Sequence, residues 1–154
     1  MSLPQKYVLT GGPGTGKTSL LNFLAKIGYQ TVCEAASIIM QEEIKNGNQI
    51  PWEDLIYFQT RVLNKQLELE SKLNPIPAAF VDRGTLDGLA YFKLFKTKPP
   101  LDLIEKAKNN RYAGVFLIDF LPFYKKDELR TEPLRVARKI QDFIKEVYEG
   151  FGYD

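Results

Sequence analysis

Gly11-Gly12-Pro13-Gly14-Thr15-Gly16-Lys17-Thr18 is the stretch that decides the fold. It fits the pattern G-x-x-x-x-G-K-S/T, and its flanks agree with it. Tyr7-Val8-Leu9-Thr10 before it is β-prone, and Ser19-Leu20-Leu21-Asn22-Phe23-Leu24-Ala25-Lys26 after it is helix-prone, with apolar residues three and four apart. A strand, a glycine loop and a helix in that order form a phosphate cradle. The glycines let successive backbone N–H groups turn toward phosphate oxygens, and the helix start adds the positive end of its dipole. In that geometry Lys17 reaches the β- and γ-phosphates and Thr18 holds Mg²⁺. Gly12, Gly14, Thr15, Gly16, Lys17, Thr18 and Ser19 are the expected nucleotide-binding set.

The rest of the composition narrows the chemistry. The 154 residues suffice for one α/β domain with a core. A net charge of +2 with no Lys/Arg run argues against a nucleic-acid partner. No apolar stretch approaches the roughly 20 residues of a membrane span, and no signal-peptide pattern precedes the first strand, so a cytoplasmic protein is expected. The single Cys33 rules out an internal disulfide and is expected as a small hydrophobe within a strand. There is no histidine, so proton transfer falls to a carboxylate, Lys, Tyr, Cys or a metal-bound water. Homo-oligomerisation is left open.

Strand and helix patterns alternate along the chain, which predicts a parallel sheet covered on both faces. Strands are expected at about 6–10, 29–34, 78–82 and 112–119. Helices are expected at about 17–27, 37–44, 52–73, 86–96, 101–110 and 132–149. Gly28 closes the first helix and Asn46-Gly47 the second. Trp52, Leu55, Ile56, Gln59, Val62, Leu63, Gln66 and Leu67 fall on one stripe of the long third helix. Gly150-Phe151-Gly152-Tyr153-Asp154 reads as a helix stop ahead of a further strand that the sequence does not supply. No linker divides the chain, so residues 1–154 read as a single domain.

Phosphoryl chemistry on Mg²⁺ needs a second anchor, an Asp at the end of a buried strand beside the first. Asp82 closes the apolar run Ala78-Ala79-Phe80-Val81 and is the main candidate, with a helix cap near Thr85 as the bland alternative. Asp119, at the end of the last strand, is its competitor. Arg83 lies where ligands bind in open α/β sheets and is expected to grip a phosphate or an acceptor hydroxyl, or else to be an ordinary ion-pairing Arg. Glu34 ends the second strand at the same edge, placed to take a proton from an acceptor hydroxyl or to bind it. The segment 125–138, with Lys125, Lys126, Arg130, Arg135 and Arg138, reads as a lid that closes over phosphates, Arg130 foremost, or as a solvated charged face. Tyr91, Phe92 and Phe95 are expected in the core, with a place in a substrate pocket as the alternative.

Gly11 to Ser19, then Glu34-Ala35-Ala36, then Phe80-Val81-Asp82-Arg83-Gly84-Thr85-Leu86-Asp87-Gly88-Leu89-Ala90-Tyr91, resemble the P-loop domain shared by the nicotinamide-riboside kinase part of NadR and the TRPL translocation defect proteins. That family is sometimes labelled an AAA-type ATPase domain, although its architecture is similar to nucleoside and nucleotide kinases. The resemblance spans Tyr7 to Tyr153. It implies a P-loop NTPase sandwich of kinase-type strand order 2-3-1-4-5, with the last strand missing here, and ATP or GTP with Mg²⁺. It also implies an acceptor bound between Glu34, Arg83 and the helix at 52–73. In related deoxynucleoside kinases the Glu after strand two resembles a base, and the acidic-Arg pair serves metal and acceptor; Glu34, Asp82 and Arg83 match those positions. The family often follows this Glu with Ala-Arg, where Ala36-Ser37 stands here, so the resemblance does not carry over a substrate contact by that Arg, nor nicotinamide riboside as the acceptor.

The expected function is a Mg²⁺-dependent kinase that transfers the γ-phosphoryl group to a nucleoside-like acceptor, with Lys17, Glu34, Asp82, Arg83 and Arg130 as its catalytic set and Thr18 and Asp82 as its metal set. The alternative is a nucleotide-binding regulator or slow NTPase that acts through a protein or lipid partner. A mechanical motor is disfavoured, because Arg83 rather than a water-polarising Glu follows Asp82. A signalling GTPase is disfavoured too, because Asn64-Lys65-Gln66-Leu67 lacks the guanine-reading Asp and lies mid-helix.

Overall fold

A computed structural model describes residues 5–12, 16–47, 54–75, 78–119 and 134–154. The element order is β1 (Gln5–Thr10), α1 (Lys17–Lys26), β2 (Gln30–Val32), α2 (Ala35–Lys45), α3 (Leu55–Ser71), β3 (Ala78–Asp82), α4 (Asp87–Leu94), α5 (Leu101–Asn109), β4 (Gly114–Leu117) and α6 (Leu134–Gly150). The four strands are parallel, in the order β2-β3-β1-β4. This matches the expected doubly covered sheet and its strand order. β1 runs down the middle, so the phosphate-loop sequence leaves from the centre of the sheet.

Register explains which residues meet. Val8 pairs with Val81 and Val115, and Val81 with Val32. Residues in register share a face in a parallel sheet. That face packs on Leu55 and Leu63 of α3, Phe92 of α4, Leu103 of α5 and Ile140 and Ile144 of α6, which form one core. Tyr7 and Phe80 stack on the other face, ring centroids 5.7 Å apart, and α1 packs against β1, β2 and β3.

Local signals set the helix ends. Asp54 caps α3 by accepting from Tyr57 N–H at 3.0 Å. At the end of α6, Gly152 N–H donates to Glu149 O and Tyr153 N–H to Tyr148 O. This is a Schellman closure, and Tyr153 packs edge-on against Tyr148 at 5.7 Å, the apolar contact such a closure favours. The stop read at residues 150–154 is therefore a packed helix end.

Some expectations change. Cys33 follows β2 and is exposed, because the strand ends at Val32, so it is not a strand-interior hydrophobe. Ile56 lies off the buried stripe of α3 at 42% exposed. The stripe instead carries Gln59, Gln66 and Glu70. Glu70 is satisfied in full: it accepts from Lys6 Nζ at 2.8 Å, Asn110 Nδ2 at 3.0 Å, the Tyr112 hydroxyl at 2.7 Å and Gln66 Nε2 at 2.6 Å. Trp52 lies outside the described residues. No described helix is long and apolar enough to cross a membrane.

Candidate functional site

The carboxyl ends of the strands gather the sequence candidates. β1 ends at Thr10, and Gly11 and Gly12 follow, both buried. Gly16 then precedes α1 with a φ of 82°, a left-handed conformation that glycine adopts without a Cβ clash. Pro13, Gly14 and Thr15 lie outside the described residues. Lys17 opens α1, is 8% exposed, and donates to Gly12 O at 3.4 Å. Burial, helped by the Arg83 charge, lowers its ammonium from 10.5 to about 8, against the pull of Asp82, Glu34 and Asp87. Thr18 and Ser19 stand exposed on the first turn of α1.

Asp82 ends β3, which pairs directly with β1. It is 4% exposed, and its Oδ1 is buried with no hydrogen-bond partner among the described residues. Burial first, then the Glu34 charge, raises its carboxyl from 3.8 to about 6; Lys17 and Arg83 oppose the rise. A buried, unpartnered carboxylate oxygen costs free energy unless a ligand satisfies it. It fits a cation or a cation-bound water. Asp119 lies past β4 and is exposed. Asp82 caps no helix, since α4 begins at Asp87.

Arg83 has a φ of 67°, unusual for a side chain larger than glycine and a mark of functional sites. Its N–H donates to Leu9 O at 2.9 Å, which anchors the turn to β1. Its guanidinium donates to Glu34 Oε1 and to Asp87 Oδ2, each at 3.1 Å. Glu34 Oε2 accepts from the Ser37 hydroxyl at 3.1 Å. Both oxygens of the expected base are therefore engaged, the second by the Ser that stands where the resembled family often has Arg.

Asp87 is the functional residue that the sequence reading passed over. It sits in the quoted motif but had no assigned role. Its Oδ1 accepts from Gly84 N–H at 3.0 Å and from the Tyr148 hydroxyl. Its Oδ2 accepts from the Thr10 hydroxyl as well as from Arg83. The burial of Tyr148, with the Asp87 charge beside it, keeps that hydroxyl protonated and donating, its pKa well above the usual value. Gly84 leaves no room: a Cβ there would meet the Tyr148 hydroxyl at 2.5 Å and Val8 Cγ2 at 2.9 Å.

Beside these groups lies a cavity of about 750 Å³. Lys17, Glu34, Arg83 and Asp87 line one part of it; much of the remaining wall is apolar, with Met40, Phe58, Leu63, Leu94 and Ile140 among its residues. Tyr91 and Phe95 also line it, the alternative place for them, while Phe92 is buried in the core and Tyr91 packs against it. Gln59 faces the cavity from α3 at 7% exposed and makes no hydrogen bond among the described residues. A volume of this size suits a small molecule. The lid candidates Lys125, Lys126 and Arg130 lie outside the described residues, while Arg135 and Arg138 are exposed on α6.

The family model described as an AAA domain matches residues 6–154. No curated protein matches the sequence. Among solved structures, the chain is similar to NadR protein in complex with NAD and AMP-PNP and to NadR protein in complex with NR. Each has a TM-score of 0.70 at 18% identity, covering 97% of this chain and 42% of that one. The chain thus spans less than half the length of those relatives, and at this identity the likeness is one of fold.

Proposed function

The chain belongs to the AAA-domain family, and on that premise we propose a Mg²⁺-dependent kinase that moves the γ-phosphoryl group of ATP or GTP to a small, nucleoside-like acceptor in the cavity. One observation carries the reading. A polar group of Lys17, Glu34 and Arg83 lines the same cavity as the apolar wall. The NadR structures hold AMP-PNP with NAD, or NR, ligands of the class proposed here.

Phosphoryl transfer asks the protein for position and charge more than for covalent work. The loop amides and the Lys17 ammonium hold the phosphate tail, and Arg130 adds charge from the lid. Arg83 orients Glu34, which takes the proton of the acceptor hydroxyl. Gln59 offers a carboxamide, one donor group and one acceptor, to the body of the acceptor. Thr18 and Asp82 would hold Mg²⁺, which supplies charge neutralisation on the phosphates. Among the described residues no group of three or more Asp, Glu, Cys or His could hold a metal alone, so the ion would rely on the nucleotide and solvent for further ligands.

The test is transfer from radiolabelled ATP with Mg²⁺ across a panel of nucleosides, sugars and vitamins. Label passing to one acceptor class is the expected outcome. Bound nucleotide with no acceptor-dependent transfer overturns the kinase reading. It would favour the second reading, a nucleotide-binding regulator or slow NTPase with a protein or lipid partner. The engagement of both Glu34 oxygens is the observation on that side, because each bond donated to a carboxylate stabilises its charged form and weakens it as a base.

A further inference from the structure

We propose that Gln141 is a positioning residue that couples the phosphate loop to the wall of the acceptor cavity; this rests on the nucleotide-binding reading above. Gln141 lies on α6 and is 7% exposed. Its Oε1 accepts from Gly12 N–H, at the root of the phosphate loop. Its Nε2 donates to Ile118 O at 3.0 Å, and Ile118 N–H donates to Thr10 O at 2.8 Å. One carboxamide therefore bridges the chain leaving β1 and the chain leaving β4, where their ladder ends.

The rest of α6 gives this bridge a consequence. Ala137, one turn before Gln141, and Ile140, its neighbour, are buried and line the cavity, and Val136 lines it too. Tyr148, two turns after Gln141, holds Asp87, which in turn holds Arg83 and Thr10. α6 thus touches the loop root, the cavity wall and the Arg83 support on one buried side. A rigid helix with polar grips at two sites moves as a unit. A ligand that changes the Gly12 peptide shifts the helix by the difference in its contacts, and the cavity wall with it. Gln is suited to the place because it accepts and donates from one planar group; Leu or Met fills the space without either bond.

The experiment compares wild-type protein with Gln141→Met and Gln141→Glu. The probe is Mg²⁺ with AMP-PNP, read by calorimetry and by amide hydrogen exchange over residues 134–150. In the wild type, bound nucleotide slows exchange along α6 by at least about fivefold, the lower end of ordinary coupling. Gln141→Met still binds the nucleotide but loses that protection, and Gln141→Glu, which keeps an acceptor for Gly12, retains it. Thermal melts establish that each variant is folded. If Gln141→Met does not fold, Gln141→Glu decides: nucleotide binding without α6 protection overturns the coupling. Equal protection in wild type and folded Gln141→Met also overturns the coupling alone. No binding heat from the wild type overturns the nucleotide reading and the coupling with it.

Discussion

Arg83 Nε donates to Glu34 Oε1 over 3.1 Å, joining the turn after β3 to the start of α2. The contact needs the left-handed backbone at Arg83, since the Leu9 and Asp87 bonds fix the rest of the turn. A guanidinium can hold two carboxylates at once in a fixed fork, whereas an ammonium offers a single point of charge. Arg83→Lys is therefore expected to keep the charge and lose the alignment of Glu34. ATP turnover with the acceptor found by the screen should fall at least about tenfold, roughly 1.4 kcal/mol in the barrier. The Kd for AMP-PNP should stay within about threefold by calorimetry. Unchanged turnover would show that Glu34 needs no orientation by Arg83.

Gly84 tests the packing beneath that turn. Its Cα faces the Tyr148 hydroxyl, Val8 and Tyr112 at distances that leave no space for a methyl group. Two of these neighbours are buried ring systems and one is a central strand residue, so none yields cheaply. Gly84→Ala should destabilise the protein by about 3 kcal/mol, as overpacking does. That corresponds to a melting-point fall of roughly 6–12 °C at this size, measured by circular dichroism.

The motif at 11–18 and the strand ending in Asp82 carried the fold, because glycine spacing and apolar runs are local signals. They also placed Lys17, Glu34, Asp82 and Arg83 at one edge, since parallel strands put their carboxyl ends together. Asp87, Gln59 and Gln141 were not legible. Each is a polar residue on a helix, and a single sequence does not distinguish an inward-facing polar side chain from a solvated one. Only the buried stripe of α3, where Gln59, Gln66 and Glu70 stand at apolar spacing, held a readable hint. Cys33 was misplaced because β2 stops at Val32, two residues short of the expected end, and strand ends follow pairing rather than local preference.

The two shifted charges predict opposite pH behaviour. Asp82 titrates near 6 in the fold against 3.8 when unfolded. The folded state thus binds more protons between those values, and stability falls as pH rises from about 4 to 6. Lys17 titrates near 8 against 10.5. The unfolded state binds more protons there, and stability rises as pH goes from about 8 to 10.5. Between pH 6 and 8 both buried charges are carried, each at a cost on the order of 3 kcal/mol with their mutual attraction already counted. Asp82→Asn should therefore raise the urea midpoint at pH 7.5 and lose that advantage below about pH 4. Lys17→Met should raise it at pH 7.5, lose the advantage above about pH 10, and weaken AMP-PNP binding at least about tenfold. A midpoint that falls at pH 7.5 in both variants would mean that neither charge is a burden.

Gln59 separates the acceptor from the nucleotide. Its side chain faces the cavity, and its carboxamide has no hydrogen-bond partner among the described residues. An amide that opens onto a cavity keeps its access to water, and it gives the fold no hydrogen bond among the described residues. Leu has nearly the same volume and breaks none of the described hydrogen bonds. Gln59→Leu should therefore melt at or above the wild-type temperature. AMP-PNP affinity should stay the same, because Gln59 stands on α3 and none of the described contacts joins it to the phosphate loop. The KM for the acceptor should rise about tenfold, the loss of one or two hydrogen bonds to a buried ligand. Gln59→Glu keeps an oxygen but adds a charge, and should reject a neutral acceptor more strongly than Leu does. If both variants keep the wild-type KM, the acceptor does not contact α3 at this position, and its body lies instead toward Tyr91 and Phe95.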